Sequence, residues 1–373
     1  MTSPLGFIKT SRLFRIGLFF AFLVLGCAAD NDFPENIILY IGDGMGVSHI
    51  TVGKIALGEI NLERFSVSGL VTTHSANKLI TESAAASTAL ATGYKTNNRA
   101  ISVSVENKPL KTLFEYAKEQ GKSIGVVVTS SVTHATPAAF LAHADDRRQQ
   151  ADIAEQIANS DVDVLFGGGW AYFVPGSNKG SKRKDQKNLL TALETRMPLI
   201  LTDDKLSAHT ESPKLAALLA PGGLPKAADR DYSLTRLTQM AIHILSKNRN
   251  GFVLMVEGSQ IDTAAHDHNQ QYLIEELIDF DDAVGAGLDF AHKSRGTLIV
   301  VTADHETGGV AVHDGSIQNR QVDSTAFTTT GHTAAMVPLF AYGPGSTRFS
   351  GIQDNARVGQ TLIELLLKNE IKN

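Results

Sequence analysis

The chain has 373 residues, of which 43% are hydrophobic, 7% aromatic and 20% charged. Those proportions supply a sizeable core and exclude wholesale disorder, leaving room for one large domain or two ordinary ones. A formal net charge of −5 argues against a general nucleic-acid binder, and a single cysteine excludes an internal disulfide and a cysteine-ligated metal.

The first residues differ in kind from the rest. Lys9, Arg12 and Arg15 precede an uncharged apolar run, Ile16 to Gly26, which ends at Cys27. A run this short reads as a secretory h-region, since a spanning helix needs about 20 apolar residues. Leu23-Val24-Leu25-Gly26-Cys27 resembles a bacterial lipobox. Residues 1–26 are therefore expected to be a lipoprotein-type signal peptide, Cys27 the lipidated N-terminus, and residues 27–35 a tether to a catalytic domain over residues 36–373. An ordinary signal peptide cleaved nearby, with an incidental cysteine, is the alternative. Ala28 rather than an aspartate follows the cysteine, which directs the expectation to the periplasmic face of an outer membrane or the cell surface. Loss of residues 1–26 would remove three basic groups and move the formal charge from −5 to −8.

Further along, Ile37 to Ile41 predicts a buried strand ending in Gly42-Asp43-Gly44-Met45-Gly46. The glycines allow a tight turn, and Asp43 lands at the strand's C-terminal end, where open α/β sheets bind ligands. An aspartate that merely shapes the turn is the competing reading. Strand-like runs recur at Val67 to Thr73, Ile124 to Thr129, Val162 to Phe166, Phe252 to Val256, Leu298 to Thr302 and Val337 to Tyr342. Helical patterns at Lys111 to Gln120, Leu234 to Lys247, Tyr272 to Lys293 and Val358 to Lys368 fall between or after them. The alternation predicts an α/β fold, a three-layer sandwich whose central, largely parallel sheet is flanked by helices. The polar stretch 176–187 reads as a solvated loop.

Thr81 to Gly93 is rich in alanine and small hydroxyl residues and predicts a tightly packed helix with Ser83 in its first turn. A hydroxyl there sits at the positive end of the helix dipole, which favours an alkoxide or a bound anion. On this stretch alone, Thr81 or Ser83 acting as a simple helix cap explains as much. The remainder of the chain shifts the balance. Asp262 and His266 are spaced i, i+4 on a helix that follows Glu257; Asp304 and His305 follow another strand; His332 precedes a third. Carboxylates and imidazoles gathered at strand ends, without thiolates, suit zinc and magnesium.

These residues carry a resemblance. G-D-G-M-G at 42–46, T-E-S-A at 81–84, H-A-T-P-A-A at 134–139 leading to Arg147, V-E-G-S-Q-I-D at 256–262 with His266, T-A-D-H-E-T-G-G at 302–309 and G-H-T at 331–333 occur in that order. Together they resemble the alkaline phosphatases, and most of all the compact bacterial members. The resemblance implies one zinc held by Asp262, His266 and His332, and a second held by Asp43, Asp304 and His305 beside Ser83. It also implies a third, magnesium-type site made by Asp43, Thr136 and Glu257; the imidazole of His134 beside it adds a nitrogen that zinc accepts more readily, so partial zinc occupancy is expected. Ser83 would be the nucleophile that forms a phosphoserine, and Arg147 would hold two phosphate oxygens in a bidentate fork. Small phosphomonoesters are the implied substrates, and a homodimer is suggested.

Three positions depart from the enterobacterial pattern. Glu82 stands where aspartate precedes the serine, and His134 and Thr263 occupy near-site positions of aspartate and lysine. A two-metal phosphodiesterase of the same superfamily is the first rival, disfavoured by Ser83, Arg147, Thr136 and Glu257. The second is a lipid-anchored phosphate- or metal-binding protein without turnover, disfavoured by the full set of ligands and nucleophile. Among the remaining histidines, His143, His243 and His292 are expected in helices; His49, His74, His209 and His313 have no ligand-like partner in sequence. His268 reads as a surface residue or a support for the ligands.

Overall fold

The computed structural model describes residues 33–368, so the expected signal peptide, Cys27 and most of the tether lie outside the described residues. The strands in chain order are β1 (Asn36–Gly42), β2 (Val67–Thr72), β3 (Ser123–Ser131), β4 (Val164–Gly168), β5 (Leu199–Ile200), β6 (Leu215–Leu218), β7 (Phe252–Gly258), β8 (Thr297–Thr302), β9 (Glu306–Thr307), β10 (Val310–Ser316), β11 (Gln321–Phe327), β12 (His332–Thr333), β13 (Val337–Tyr342) and β14 (Gly351–Asp354). The α-helices are α1 (Val47–Leu57), α2 (Ser83–Thr92), α3 (Leu113–Glu119), α4 (Ala135–Leu141), α5 (Gln150–Asn159), α6 (Leu189–Glu194), α7 (Leu234–Leu245), α8 (Gln260–His266), α9 (Gln270–Lys293) and α10 (Asn355–Leu367).

Ten strands make the main sheet in the order β14-β2-β13-β8-β1-β7-β3-β4-β6-β5. Every pairing in it is parallel except those of β13 with β2 and β8. The expected largely parallel α/β sandwich is therefore the observed one. Its central strands β1, β7 and β8 are buried at every residue, which is why they read as unbroken apolar runs rather than alternating ones. Helices α1, α7 and α8 pack on α9, while α3, α4 and α10 gather about α2. No helix among the described residues is long and apolar enough to cross a membrane.

Helix α2 is buried along its whole length, and its alanines are what permit that. α4 and α10 press against it; at Gly359 of α10 an added Cβ would stand 2.2 Å from Ala89 O. Packing this tight fixes α2, and with it the position of Ser83 at its start.

Several elements differ from the sequence expectation. α3 starts at Leu113 because Thr112 accepts the Glu115 N–H in a capping box, and α10 starts at Asn355 because Asp354 accepts the Ala356 N–H. α4 stops at Leu141, so His143 lies in the loop beyond it, its Nδ1 2.8 Å from Ser102 O. The β10–β11 hairpin was not foreseen. Its strands are largely polar and mostly outside the core, so no apolar alternation announced them.

Candidate active site

Adjacent parallel strands end at one edge of the sheet, and the register aligns them there: Ile41 pairs with Glu257 and with Thr302, and Val128 with Glu257. Asp43 follows β1, Glu257 lies near the end of β7, Asp304 follows β8, and α4 with Thr136 follows β3. Residues far apart in sequence meet by this topology alone. Three ligand groups result, each with its ligating atoms within 4.8 Å of one another: Asp262, His266 and His332; Asp43, Asp304 and His305; and Asp43, His134 and Glu257. The first two are the expected zinc sets. The third contains two expected ligands and adds His134, while Thr136 is buried with its hydroxyl unpartnered among the described residues.

The carboxylates lie in the interior. Asp43 and Asp304 are fully buried, as are Glu257 and His305. Both oxygens of Asp43, Oε1 of Glu257 and Oδ2 of Asp304 accept no hydrogen bond among the described residues. Buried acceptors left this way are unfavourable unless a cation meets them. Burial, reinforced by Asp304, Asp262 and Glu257, holds the Asp43 pKa well above the carboxylate range. Burial likewise pushes Glu257 up to about 7, against the Ser130 hydroxyl, which donates to its Oε2 at 3.3 Å. Asp262 goes the other way: burial would raise it, but the His266 hydrogen bond, the His305 charge and the Thr307 hydroxyl hold it below the usual range.

The imidazoles are oriented by their outer nitrogens. His266 Nδ1 lies 2.5 Å from Thr330 O and His332 Nδ1 3.1 Å from Thr81 O, so each donates there and turns a lone pair at Nε2 inward. His305 is set by Thr307, a residue sequence reasoning did not single out. Its hydroxyl donates to Asp262 Oδ1 at 2.5 Å and accepts from His305 Nδ1 at 3.2 Å. The inward Nε2 atoms stand 3.3 Å (His266) and 3.7 Å (His332) from Asp262 oxygens, and 3.5 Å (His305) from Asp43 and 3.2 Å from Asp304.

Ser83 is the first residue of α2, buried, with Oγ 3.4 Å from His305 Nε2. The cap is neither Thr81 nor Ser83 but Glu82, which accepts the N–H groups of Ala84 and Ala85 at 3.2 and 3.0 Å. The serine hydroxyl is thereby released from capping. Glu82 also accepts Arg147 Nη1 at 2.6 Å and the Arg99 N–H at 2.7 Å. Arg147 Nη2 donates to His134 Nε2 at 2.9 Å. Burial opposes the charge on Glu82, but Arg147 wins and its pKa stays below the ordinary value.

Two further residues escaped the sequence reading. His49 is fully buried, accepts the Gly46 N–H at Nδ1 (3.1 Å), and is pushed down to about 4 by burial, against Asp262. Glu306 holds Thr333 and the Val310 N–H, tying β9 to the strand that carries His332. Thr307 and Glu306 were visible in D-H-E-T-G-G; His49 had no sequence signal. Thr263 follows Asp262 on α8, where it is exposed and its side chain makes no hydrogen bond among the described residues. At Gly44, with φ +72°, a Cβ would meet Thr307 Oγ1 at 2.8 Å and Asp262 Cα at 3.0 Å, so the turn after β1 requires glycine.

The alkaline phosphatase family profile matches residues 34–322. The chain belongs to the alkaline phosphatase family. The phosphatase is 33% identical to Alkaline phosphatase 4 of Bacillus subtilis (strain 168), over 89% of this chain and 88% of that one. It is 30% identical to the alkaline phosphatase of Escherichia coli (strain K12), over 88% and 85% of the two chains. In structure it matches the alkaline phosphatase of the Antarctic bacterium TAB5 with a TM-score of 0.83 and 37% identity, covering 90% of this chain and 98% of that one. A histidine-to-aspartate variant of the TAB5 enzyme, similar to the same degree, holds magnesium in its M3 site. This alkaline phosphatase is thus an enzyme of a metal-dependent family, and its buried carboxylate cluster is where metal would act.

Proposed function

We propose that the enzyme hydrolyses phosphate monoesters through a phosphoserine on Ser83, with two zinc ions and a third, magnesium-type ion. One observation carries the reading: a buried serine hydroxyl, free of capping, lies 3.4 Å from His305 beside carboxylate oxygens that have no hydrogen-bond partner. The donor spacing fits the metals. With bonds of about 2.0–2.1 Å, the edge of a tetrahedron is roughly 3.3–3.4 Å, and the nitrogen-to-oxygen separations of 3.2, 3.3, 3.5 and 3.7 Å bracket that value.

Asp262, His266 and His332 would hold one zinc, and Asp43, Asp304 and His305 the other. Asp43, Thr136 and Glu257 offer the hard oxygens that magnesium prefers, while His134 would offer Nδ1 to zinc once its ring proton sits on Nε2 and the Arg147 Nη2 contact is released, so partial zinc occupancy of the third site is expected. Bound divalent ions supply Lewis-acid stabilisation of the attacking and leaving oxygens. The chain's own residues do the rest. Ser83 Oγ forms a bond to phosphorus as the ester oxygen departs, and water then breaks that bond, releasing phosphate and restoring the hydroxyl. Arg147, held by Glu82, presents its remaining N–H groups to the non-bridging oxygens, which is electrostatic stabilisation rather than proton transfer.

Hydrolysis of p-nitrophenyl phosphate in strong preference to bis-p-nitrophenyl phosphate at alkaline pH, abolished by chelator, is the expected result. Equal or greater diesterase activity would overturn the reading. Export and lipidation at Cys27, placing the enzyme at the periplasmic face of an outer membrane or the cell surface, belong to the same proposal, as does a homodimer. Mass spectrometry of the membrane-extracted N-terminus would refute the anchor by finding an unmodified cysteine or another start.

A further inference from the structure

His268 lies just beyond α8, exposed at the surface, yet its backbone and ring are both committed. Its φ is +52°, a left-handed conformation that is unfavourable for a non-glycine residue. That turn aims the imidazole at the segment connecting β11 to β12. Nε2 donates to Thr329 O at 2.9 Å, and the ring stacks on Phe327 with centroids 4.8 Å apart at 13°. The next carbonyl, Thr330 O, receives His266 Nδ1, and His332 begins two residues later. Two imidazoles from one helix end thus hold two consecutive carbonyls of the segment that orients His266 and delivers His332. The segment is also tied to Gly308 and Gly309: the N–H groups of Thr328 and Thr329 donate to Gly308 O, the Gly308 N–H to Gly331 O, and the Thr328 hydroxyl to Gly309 O at 3.2 Å.

We propose that His268 is a positioning residue for the Asp262, His266 and His332 site: it fixes the 328–331 segment and so sets both imidazoles, while touching neither metal nor substrate. The reasoning rests on the function proposed above. Loss of the imidazole leaves Thr329 O to solvent and frees the segment to shift, so the ligands must be ordered by the ion itself. Partners of this outer kind are typically worth 10–100-fold in metal affinity. An exposed hydrogen bond belongs at the low end, and about tenfold weaker zinc binding at this site is expected.

The test is competition with a zinc-selective fluorescent chelator on the full holoenzyme, comparing wild type with His268→Ala, His268→Gly and His268→Gln. Ala and Gly should weaken one of the two zincs about tenfold, leave the other unchanged, and regain activity in excess zinc. Gln keeps a donor at the reach of Nε2 and should lie closer to wild type than to Ala. Wild-type affinity in the Ala variant would overturn the proposal. So would wild-type affinity in the Gly variant, which would assign the effect to the backbone, or a Gln variant no better than Ala. Equal weakening at both zincs, with a matching loss of stability in the metal-free proteins, would reduce His268 to a general structural role and likewise overturn it. A wild-type protein binding fewer than two zincs would refute the function proposed above, and this inference with it, before any variant is made.

Discussion

Glu82→Gln isolates what holds Arg147 in place. Oε1 of Glu82 accepts the Ala85 and Arg99 N–H groups, and Oε2 accepts the Ala84 N–H and Arg147 Nη1. All four partners are donors, whereas glutamine has one acceptor oxygen and an NH2 group. Whichever way the amide turns, two donors face it unpaired. The expected orientation keeps Ala85 and Arg99 and gives up Ala84 and Arg147, because an amide NH2 beside a guanidinium is the contact most readily opened towards solvent. A charge-assisted hydrogen bond is worth about 1.5–3 kcal/mol. The Arg147 side chain is 24% exposed, so about 1–2 kcal/mol is the expected loss. At about 1.4 kcal/mol per tenfold, inorganic phosphate should inhibit roughly 5–30-fold less tightly. Part of the helix cap goes as well, about 1 kcal/mol or less, so thermal stability should fall only slightly. The assay is competitive inhibition of p-nitrophenyl phosphate hydrolysis by phosphate, alongside thermal unfolding. An inhibition constant within twofold of wild type would show that Glu82 does not hold Arg147 for phosphate.

Ser83→Ala should abolish the phosphoenzyme and nearly all monoesterase activity while metal content per chain is retained; label surviving a low-pH quench on the variant would refute the nucleophile. Arg147→Ala should weaken monoester binding much more than diester binding, because a diester has fewer charged non-bridging oxygens; equal losses would make Arg147 structural only. His134→Asp should shift the third site towards magnesium, read as metal content and magnesium activation curves, and no change in either would remove His134 from that site. Away from the metals, burial pushes Glu276 up to about 7, against the Arg230 charge and the Ala227 hydrogen bond at 2.7 Å. A folded pKa above the unfolded value near 4.5 means the contribution is fully present below about 4.5 and is lost as pH rises through about 7. Glu276→Gln should therefore match wild type in urea midpoint near pH 5 and exceed it at pH 9, by on the order of 1–3 kcal/mol; a variant no more stable at pH 9 would refute the sign.

The sequence by itself determined the sheet and the chemistry of its edge. Runs such as Ile37 to Ile41 and Leu298 to Thr302 are apolar without alternation because both faces of a parallel sheet are covered, and that feature is local. Asp43, Glu257 and Asp304 could be placed at strand ends for the same reason, and the spacing of Asp262 and His266 already put them on one helical face. What only the tertiary structure decided is who meets whom. Aligned strand ends bring Asp43 within ligand distance of both His305 and His134, a pairing that depends on strand order rather than on any neighbouring residue. The choice of Glu82 over Ser83 as the cap follows from Arg99 and Arg147 drawing the carboxylate to the helix end. Thr307 governs the His305 tautomer only because β9 and α8 bring it against Asp262. The β10–β11 hairpin left no periodic trace because its paired strands are mostly outside the core, and the grip of His268 on Thr329 left none because it is a single contact across the fold rather than a repeating pattern of burial along the chain.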